Sequence, residues 1–404
     1  MLIKEQWLTV IMIICWGVGV SLFVGTTVAY EDVEQQALNC WATADEGVTT
    51  FSSVDNTAVQ DAVAAAVAGA TVKVAGYCEG AQLYGGHVQT VLIDKGLHLQ
   101  GGYTYTNWSV LDPDLYVTTL SANRAGRVLL IFNSGQLVTI SDLRLINGKA
   151  PNGGGSGGGI WLQGGGELEI RQSEILSSTS GNGGNSVLGS GGAAGSGGGI
   201  YIGPNAIVTV SQSVLMNNQG GVGGNGPFGA GRGGHGGGIY NGGWLLVQET
   251  TIQNNAAGKA GQVSVTSSPG MGGRGGGIYH GGSELRVENS LIADNRSGDG
   301  APNYGHGGDG GGVYWQDGWG EVVNTTISNN QTGNGIDGGV NGVGDGLYVS
   351  SGVITMTMSS IVHNGDGIEG GGLWVADGGL VHVDSSIMSL NGGDECAGLG
   401  VITG

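Results

Sequence analysis

The chain of 404 residues is poor in proline and in basic residues. Only six prolines, with no Gly-X-Y period, argue against a collagen triple helix even though 89 residues are glycine. The chain has 13 lysines and arginines and 32 acidic residues, which gives a formal net charge of −19. So acidic a protein repels phosphate backbones and anionic lipid surfaces, and we therefore expect no nucleic-acid partner.

Cysteine is scarce as well, with four residues in the whole chain. Cys15 lies in an N-terminal apolar stretch and leaves the protein if that stretch is cleaved. Cys40 and Cys78 could form a disulfide in an oxidising compartment, and two free buried thiols are the alternative. Cys396 then has no partner, unless residues beyond the present terminus supply one.

The N-terminus has the features of a secretory signal. Lys4 precedes an apolar stretch over residues 8–24, and small residues follow up to Ala29. This pattern predicts a signal peptide over residues 1–29, with a retained membrane anchor as the alternative. We therefore expect a secreted or cell-surface protein, with membrane contact only through residues 8–24 if they are uncleaved.

A phrase made of a glycine run, an aliphatic residue and an aromatic residue recurs seven times. Its intervals are 26 to 40 residues, and repeats of this length indicate stacked units that bury their apolar faces against one another. After each phrase come two short alternating stretches at a nearly constant distance, whereas the return to the next phrase varies in length. Three short strands per unit, separated by Gly and Asn turns, predict a parallel β-helix. A β-propeller would need longer and more widely spaced strands.

The segment before the repeats predicts a lid for the first coil. Thr57-x-x-Gln60 has the form of a capping box, and Val59, Val63, Ala66 and Val67 would share one face of a short helix that stops at Gly69. We assign residues 30–137 to this cap and the first coils, and residues 138–404 to the glycine-rich repeats. We interpret the C-terminal end as truncated, and final residues folded over the last coil are the alternative.

The aromatic residues of the seven phrases are the first candidate ligand site. Side chains alternate along a strand, so an inward aliphatic residue sends the following aromatic outward. Such a column could bind sugar rings or another extended ligand. Alternatively, the glycine-rich loops fold over the rings, which would then anchor them. The column consists of Trp161, Tyr201, Tyr240, Tyr279, Tyr314, Tyr348 and Trp374.

Other polar patterns indicate structure rather than chemistry. Asparagines three residues after the closing aliphatic residue predict a turn ladder; they are Asn218, Asn255, Asn295, Asn330 and Asn364. The loop acids recur at no fixed offset, so we expect no regular calcium sites and no cofactor. The repeats contain no adjacent Asp pair and few basic residues, and we therefore predict no catalytic residue.

The repeats resemble those of the polymorphic outer-membrane proteins, in which a Gly-Gly-aliphatic phrase alternates with Phe-x-x-Asn. Here Ile252-Gln253-Asn254-Asn255 and its counterparts occupy the second role, with Ile in place of Phe. The N-terminal part, including Gly76-Tyr77-Cys78 and the stretch from Leu97 to Tyr103, resembles bacterial β-helix proteins of the pectate-lyase-like superfamily. These resemblances imply a right-handed helix and export, and they transfer no catalytic residue.

The fold class expected is therefore all-β, a right-handed parallel β-helix with three strands per coil and an N-terminal capping helix. The function expected is that of an adhesin-like scaffold, secreted or displayed at the cell surface, that contacts an extracellular glycan or another surface partner along the aromatic column. The alternative is a polysaccharide lyase or glycoside hydrolase on the same fold, since a fold alone does not decide function.

Overall fold

A computed structural model describes residues 40–132, 135–263, 269–365 and 371–404. The predicted signal segment over residues 1–29, with Cys15 and the apolar stretch, lies outside the described residues. Within the described ranges, no helix is both long enough and apolar enough to cross a bilayer.

The N-terminal part builds a lid and the first coils. Strand β1 pairs antiparallel with β2 and β3, and the single described helix α1 lies across this end with its apolar face buried. The elements are β1 (Cys40–Thr43), β2 (Thr50–Ser53), α1 (Thr57–Ala65), β3 (Thr71–Glu79), β4 (Gln82–Tyr84), β5 (His87–Ile93), β6 (Leu97–Gln100), β7 (Thr118–Ser121), β8 (Arg127–Phe132), β9 (Leu137–Ser141) and β10 (Leu143–Ile146).

The predicted capping box is wrong. Thr57 is the first helical residue, and its backbone N–H donates to the Asp55 carboxylate at 2.9 Å. Gln60 does not turn back to the helix, because its side chain bonds both the N–H and the C=O of Leu92 in β5. The helix is thus joined to the first coil as a lid. Val67 lies beyond the helix and is exposed, contrary to the prediction that it packs inward.

The repeats form coils of three parallel strands each, and the first, second and third strands of successive coils build the first, second and third faces of the β-helix. The strands are β11 (Ile160–Gln163), β12 (Glu167–Arg171), β13 (Glu174–Leu176), β14 (Ile200–Ile202), β15 (Ile207–Ser211), β16 (Val214–Met216), β17 (Ile239–Asn241), β18 (Trp244–Gln248), β19 (Thr251–Gln253), β20 (Ile278–His280), β21 (Glu284–Glu288), β22 (Leu291–Ala293), β23 (Val313–Trp315), β24 (Trp319–Val323), β25 (Thr326–Ser328), β26 (Leu347–Val349), β27 (Gly352–Thr357), β28 (Ser360–Val362), β29 (Leu373–Val375), β30 (Gly379–Asp384), β31 (Ile387–Ser389), β32 (Cys396–Gly398) and β33 (Val401–Thr403).

Successive coils stack residue upon residue, which confirms the predicted right-handed parallel β-helix. On the first face, β11 pairs with β14 through Ile160 opposite Ile200, and the same register continues to β29. The aliphatic residue of every phrase is buried, as predicted. The final residues add β32 and β33 to the first and second faces and do not fold over the last coil.

The predicted asparagine ladder is present on the third face. Each side-chain amide donates to the Oδ1 of the asparagine one coil further on at 3.0 Å, from Asn218 to Asn391. The same Oδ1 accepts the backbone N–H of the preceding asparagine, so these buried groups are satisfied. The left-handed backbone belongs to the residue before each ladder asparagine, for example Asn254 with φ 54°.

The glycine-rich loops between the third and first faces form an ordered layer. The outgoing leg of each loop bonds the returning legs of its own and the neighbouring coil through backbone N–H···O=C contacts. The run is unbroken from Gly342 to Gly155, through Gly333, Gly308, Gly298, Gly273, Gly258, Gly234, Gly221, Gly195 and Gly181. We call these residues the glycine layer. Loops that the sequence presents as variable insertions are therefore extensions of the stacked coils.

Glycine is required in this layer because neighbouring backbone segments approach each other closely, and not because of a turn conformation. A Cβ at Gly258 would lie 1.7 Å from the carbonyl oxygen of Gly221, and one at Gly298 would lie 1.8 Å from that of Gly258. Neither residue has a positive φ. Since the obstacle is backbone, no rotamer change can relieve it.

Buried polar groups interrupt the aliphatic stack of the repeats on the first face. Asn241, His280 and Trp315 point inward at the register position that Ile202 and Val349 occupy in neighbouring coils. The Asn241 amide lies 2.9 Å from His280 Nδ1, whereas His280 Nε2 has no partner among the described residues. Burial lowers the pKa of His280 to about 4, so the ring stays neutral at physiological pH.

Replacing Gly258 by alanine should destabilise the protein by about 1–3 kcal/mol, because the new methyl group would overlap the Gly221 carbonyl. Gly184→Ala is the matched control, since a Cβ there meets no atom within 4 Å. Thermal unfolding of both variants measures the difference. Equal melting temperatures would show that the glycine layer tolerates side chains.

His280 should make stability fall with acid. An unfolded histidine has a pKa of about 6.5, whereas folded His280 takes up its proton only near pH 4. The free energy of unfolding should therefore decrease by up to about 3 kcal/mol as the pH falls from about 6.5 to about 4. His280→Val, a residue already present at this register position, should make the dependence between pH 5 and 7 shallower in denaturant titrations, while His235, whose pKa is also lowered to about 4, keeps its own contribution. His382→Val removes an exterior histidine as the control, and it should keep the acid destabilisation that His280 causes.

Candidate ligand-binding site

The aromatic residues of the phrases form a stacked column on the first face. Tyr201, Tyr240, Tyr279, Tyr314 and Tyr348 stack with ring centroids 4.8–5.2 Å apart and planes within 7° of parallel. This spacing is that of the coils themselves, because the tyrosines are register partners in adjacent strands. The faces of the rings therefore contact one another, and their edges point outward.

Loops cover the middle of the column. Tyr279 and Tyr314 are only 7% and 2% exposed. The His235 ring stacks on Tyr279 at 4.7 Å, and the Arg274 guanidinium lies 4.8 Å from the Tyr314 ring centre and donates to its hydroxyl. Arg274 in turn pairs with Asp309 at 3.1 Å.

Burial also sets the charge state of these groups. Burial, followed by Arg274 and Arg232, lowers the pKa of His235 to about 4. Burial raises the pKa of Tyr279 to about 12, so its hydroxyl remains neutral. A cavity of about 350 Å³ beside the two tyrosines is lined largely by polar loop groups, including Arg232, His235 and Gln316.

The column is therefore not the continuous outward ladder that the alternation of strands predicts. Tyr279 and Tyr314 anchor the loops above them. Trp161, Tyr201, Tyr240, Tyr348 and Trp374 are half-buried and keep part of their surface open.

The stack contains only the five tyrosines, since among the described residues neither Trp161 at the N-terminal end nor Trp374 at the C-terminal end stacks on its tyrosine neighbour. Trp161 and Tyr201 are register partners, yet within the described part of the chain no stacking joins them. Trp161 instead packs against the preceding coils, with His87 edge-on at 5.4 Å and Phe132 at 6.3 Å. The Arg127 guanidinium lies 4.2 Å from its ring centre. These contacts turn the indole away from the tyrosines.

A cavity of about 350 Å³ occupies this break. Its walls are the two aromatic residues, Arg127, Gln163 and the backbone of the loop over residues 154–156. The volume is at the lower end of the range of ligand pockets, about 300–1,000 Å³. Among the described residues that line it there is no carboxylate, so acid–base hydrolysis has no candidate groups here.

A further cavity of about 340 Å³ brings three carboxylates together near the third face. It is lined by Asp114, Asp142 and Glu174, beneath the loop that precedes β7. Glu174 pairs with Arg144, and Asp142 accepts from Gln100 and Ser141. Sequence reasoning missed this grouping, because the three acids are far apart in the chain and no motif joins them.

The structure joins Cys40 and Cys78 in a disulfide that links β1 to β3 at the lid end. Cys396 is free and exposed at the opposite end, in β32.

Comparison with known proteins identifies no relative. No family model, no curated protein and no solved structure matches the chain.

Proposed function

We propose that this protein is an adhesin-like β-helix scaffold, secreted or displayed at the cell surface, that contacts a glycan at the cavity between Trp161 and Tyr201. One observation carries the proposal: the aromatic stack opens at this point and leaves aromatic side chains lining a cavity of about 350 Å³. Aromatic side chains beside a few polar groups are the usual lining of such sites.

Two further features support an extracellular location. Disulfides persist in oxidising compartments, and Cys40–Cys78 is such a bond. The N-terminal sequence has the charged start, apolar middle and small-residue end of a secretory signal. We also propose, from the sequence resemblances alone, that the protein is related to pectate-lyase-like β-helix proteins and to polymorphic outer-membrane proteins.

Trp161→Ala should weaken glycan binding at least tenfold, or about 1.4 kcal/mol, because it removes one aromatic wall of the cavity. Binding to a glycan array and titration with the best array ligand measure the effect. Thermal unfolding confirms that the variant is folded.

Trp374→Ala is the matched control, since Trp374 belongs to the same phrase at the opposite end of the column. We expect its binding to equal that of the parent protein. An equal loss in both variants, or a loss in neither, would contradict a site at Trp161 and Tyr201.

A second candidate function, polysaccharide cleavage, is favoured by the three carboxylates that line one cavity. If that cavity is an active site, the protein should release reducing ends from a panel of polysaccharides and Glu174→Gln should abolish the release. Asp294→Asn, outside this cavity, serves as the control. No release by the parent protein across the panel would remove this candidate.

A further inference from the structure

Arg127 is a buried cation for which the described protein provides no counter-charge. The residue is 2% exposed, and its Nε donates to the Ser156 carbonyl at 2.9 Å. Its Nη1 has no hydrogen-bond partner, and no described carboxylate lies within the 4 Å of an ion pair. A buried charge without a partner is costly, so such a group in a cavity wall indicates a missing anionic partner.

Most of the other arginines have a carboxylate partner. Five of them each lie within 4 Å of a carboxylate: Arg144, Arg171, Arg274, Arg286 and Arg296. Arg124 and Arg232 also lack an ion pair among the described residues, but both are exposed, so Arg127 is the buried arginine without a carboxylate partner.

Arg127 also departs from the repeat. Leu129 pairs with Ile160 in the next coil, so Arg127 stands where that coil has Gly158. A Cβ at Gly158 would lie 2.4 Å from the Thr179 carbonyl oxygen, whereas the coil of Arg127 lacks the long glycine loop and has room for a side chain. The guanidinium therefore reaches the Trp161 ring and lines the cavity.

The cavity wall combines groups that suit a charged sugar. A guanidinium binds carboxylate or sulfate oxygens through paired N–H donors. Tyr201 supplies an aromatic surface for the apolar face of a sugar ring, and the Gln163 amide and loop backbone supply partners for hydroxyl groups. Burial lowers the pKa of Arg127 to about 10, so the side chain still carries its charge at neutral pH.

We infer that this cavity selects an anionic sugar, one that carries a carboxylate or a sulfate, and that Arg127 is the residue that recognises the charge. The inference rests on the proposed glycan contact and adds the class of ligand. The protein as a whole is strongly negative and would repel an anionic ligand from the rest of its surface. A preference for anionic sugars would therefore have to come from this cavity.

The test is an array in which each sugar core is present in neutral, carboxylated and sulfated forms. The parent protein should bind acidic forms at least tenfold more tightly than their neutral parents, and added NaCl should reduce the preference. Arg127→Gln should lower acidic binding to the neutral level. Arg232→Gln, in the cavity beside Tyr279, should keep the preference. The carboxylated and sulfated arms show which anion is recognised.

Two outcomes separate this inference from the proposed function. If the parent protein binds neutral and acidic forms equally and Trp161→Ala removes both, the anionic preference is overturned and the glycan site stands. If no form binds, the proposed function itself is overturned. If Arg127→Gln does not fold, methyl esterification of the carboxylated sugars replaces it: equal binding of acid and ester would overturn the inference.

Discussion

Each residue in the repeat strands lies directly beside the equivalent residue of a neighbouring coil. In-register parallel pairing imposes this arrangement, so a side chain is favoured where it packs well against a copy of itself. Aliphatic residues stack inside, asparagine amides bond in a line, and tyrosine rings lie face to face. The repeat in the sequence is the consequence of this contact between equivalent positions.

The glycine layer follows from the same constraint. Backbone packed on backbone has no room for a Cβ, and a single alanine would disturb two neighbouring coils at once. The hydrogen bonds of the layer also bring the loops over the column, which is why Tyr279 and Tyr314 are buried. A glycine-rich composition suggests flexible loops, but the described residues of these loops are hydrogen-bonded through their backbone to the neighbouring coils.

The core positions and the asparagine ladder are predictable from sequence because each depends on a periodic pattern that is visible along the chain. The order of the glycine loops is not, since glycine has no side chain whose alternation could reveal a partner. Thr57 lies in the first turn of α1 and not at its N-cap, and its own N–H is bound by the Asp55 carboxylate. The turn of Trp161 depends on His87 and Phe132, which lie in earlier coils and share no motif with it.

The proposed binding site lies at a position that breaks the repeat. A perfect column would use every ring face internally and leave no surface for a ligand. Trp161 leaves the stack because the coils before it supply Arg127 and other aromatic groups in place of glycine and tyrosine. Inside the rod, the buried polar residues Asn241 and His280 interrupt the aliphatic stack in the same way. The break between Trp161 and Tyr201 lies beside a cavity, and the proposed glycan site is placed there for that reason.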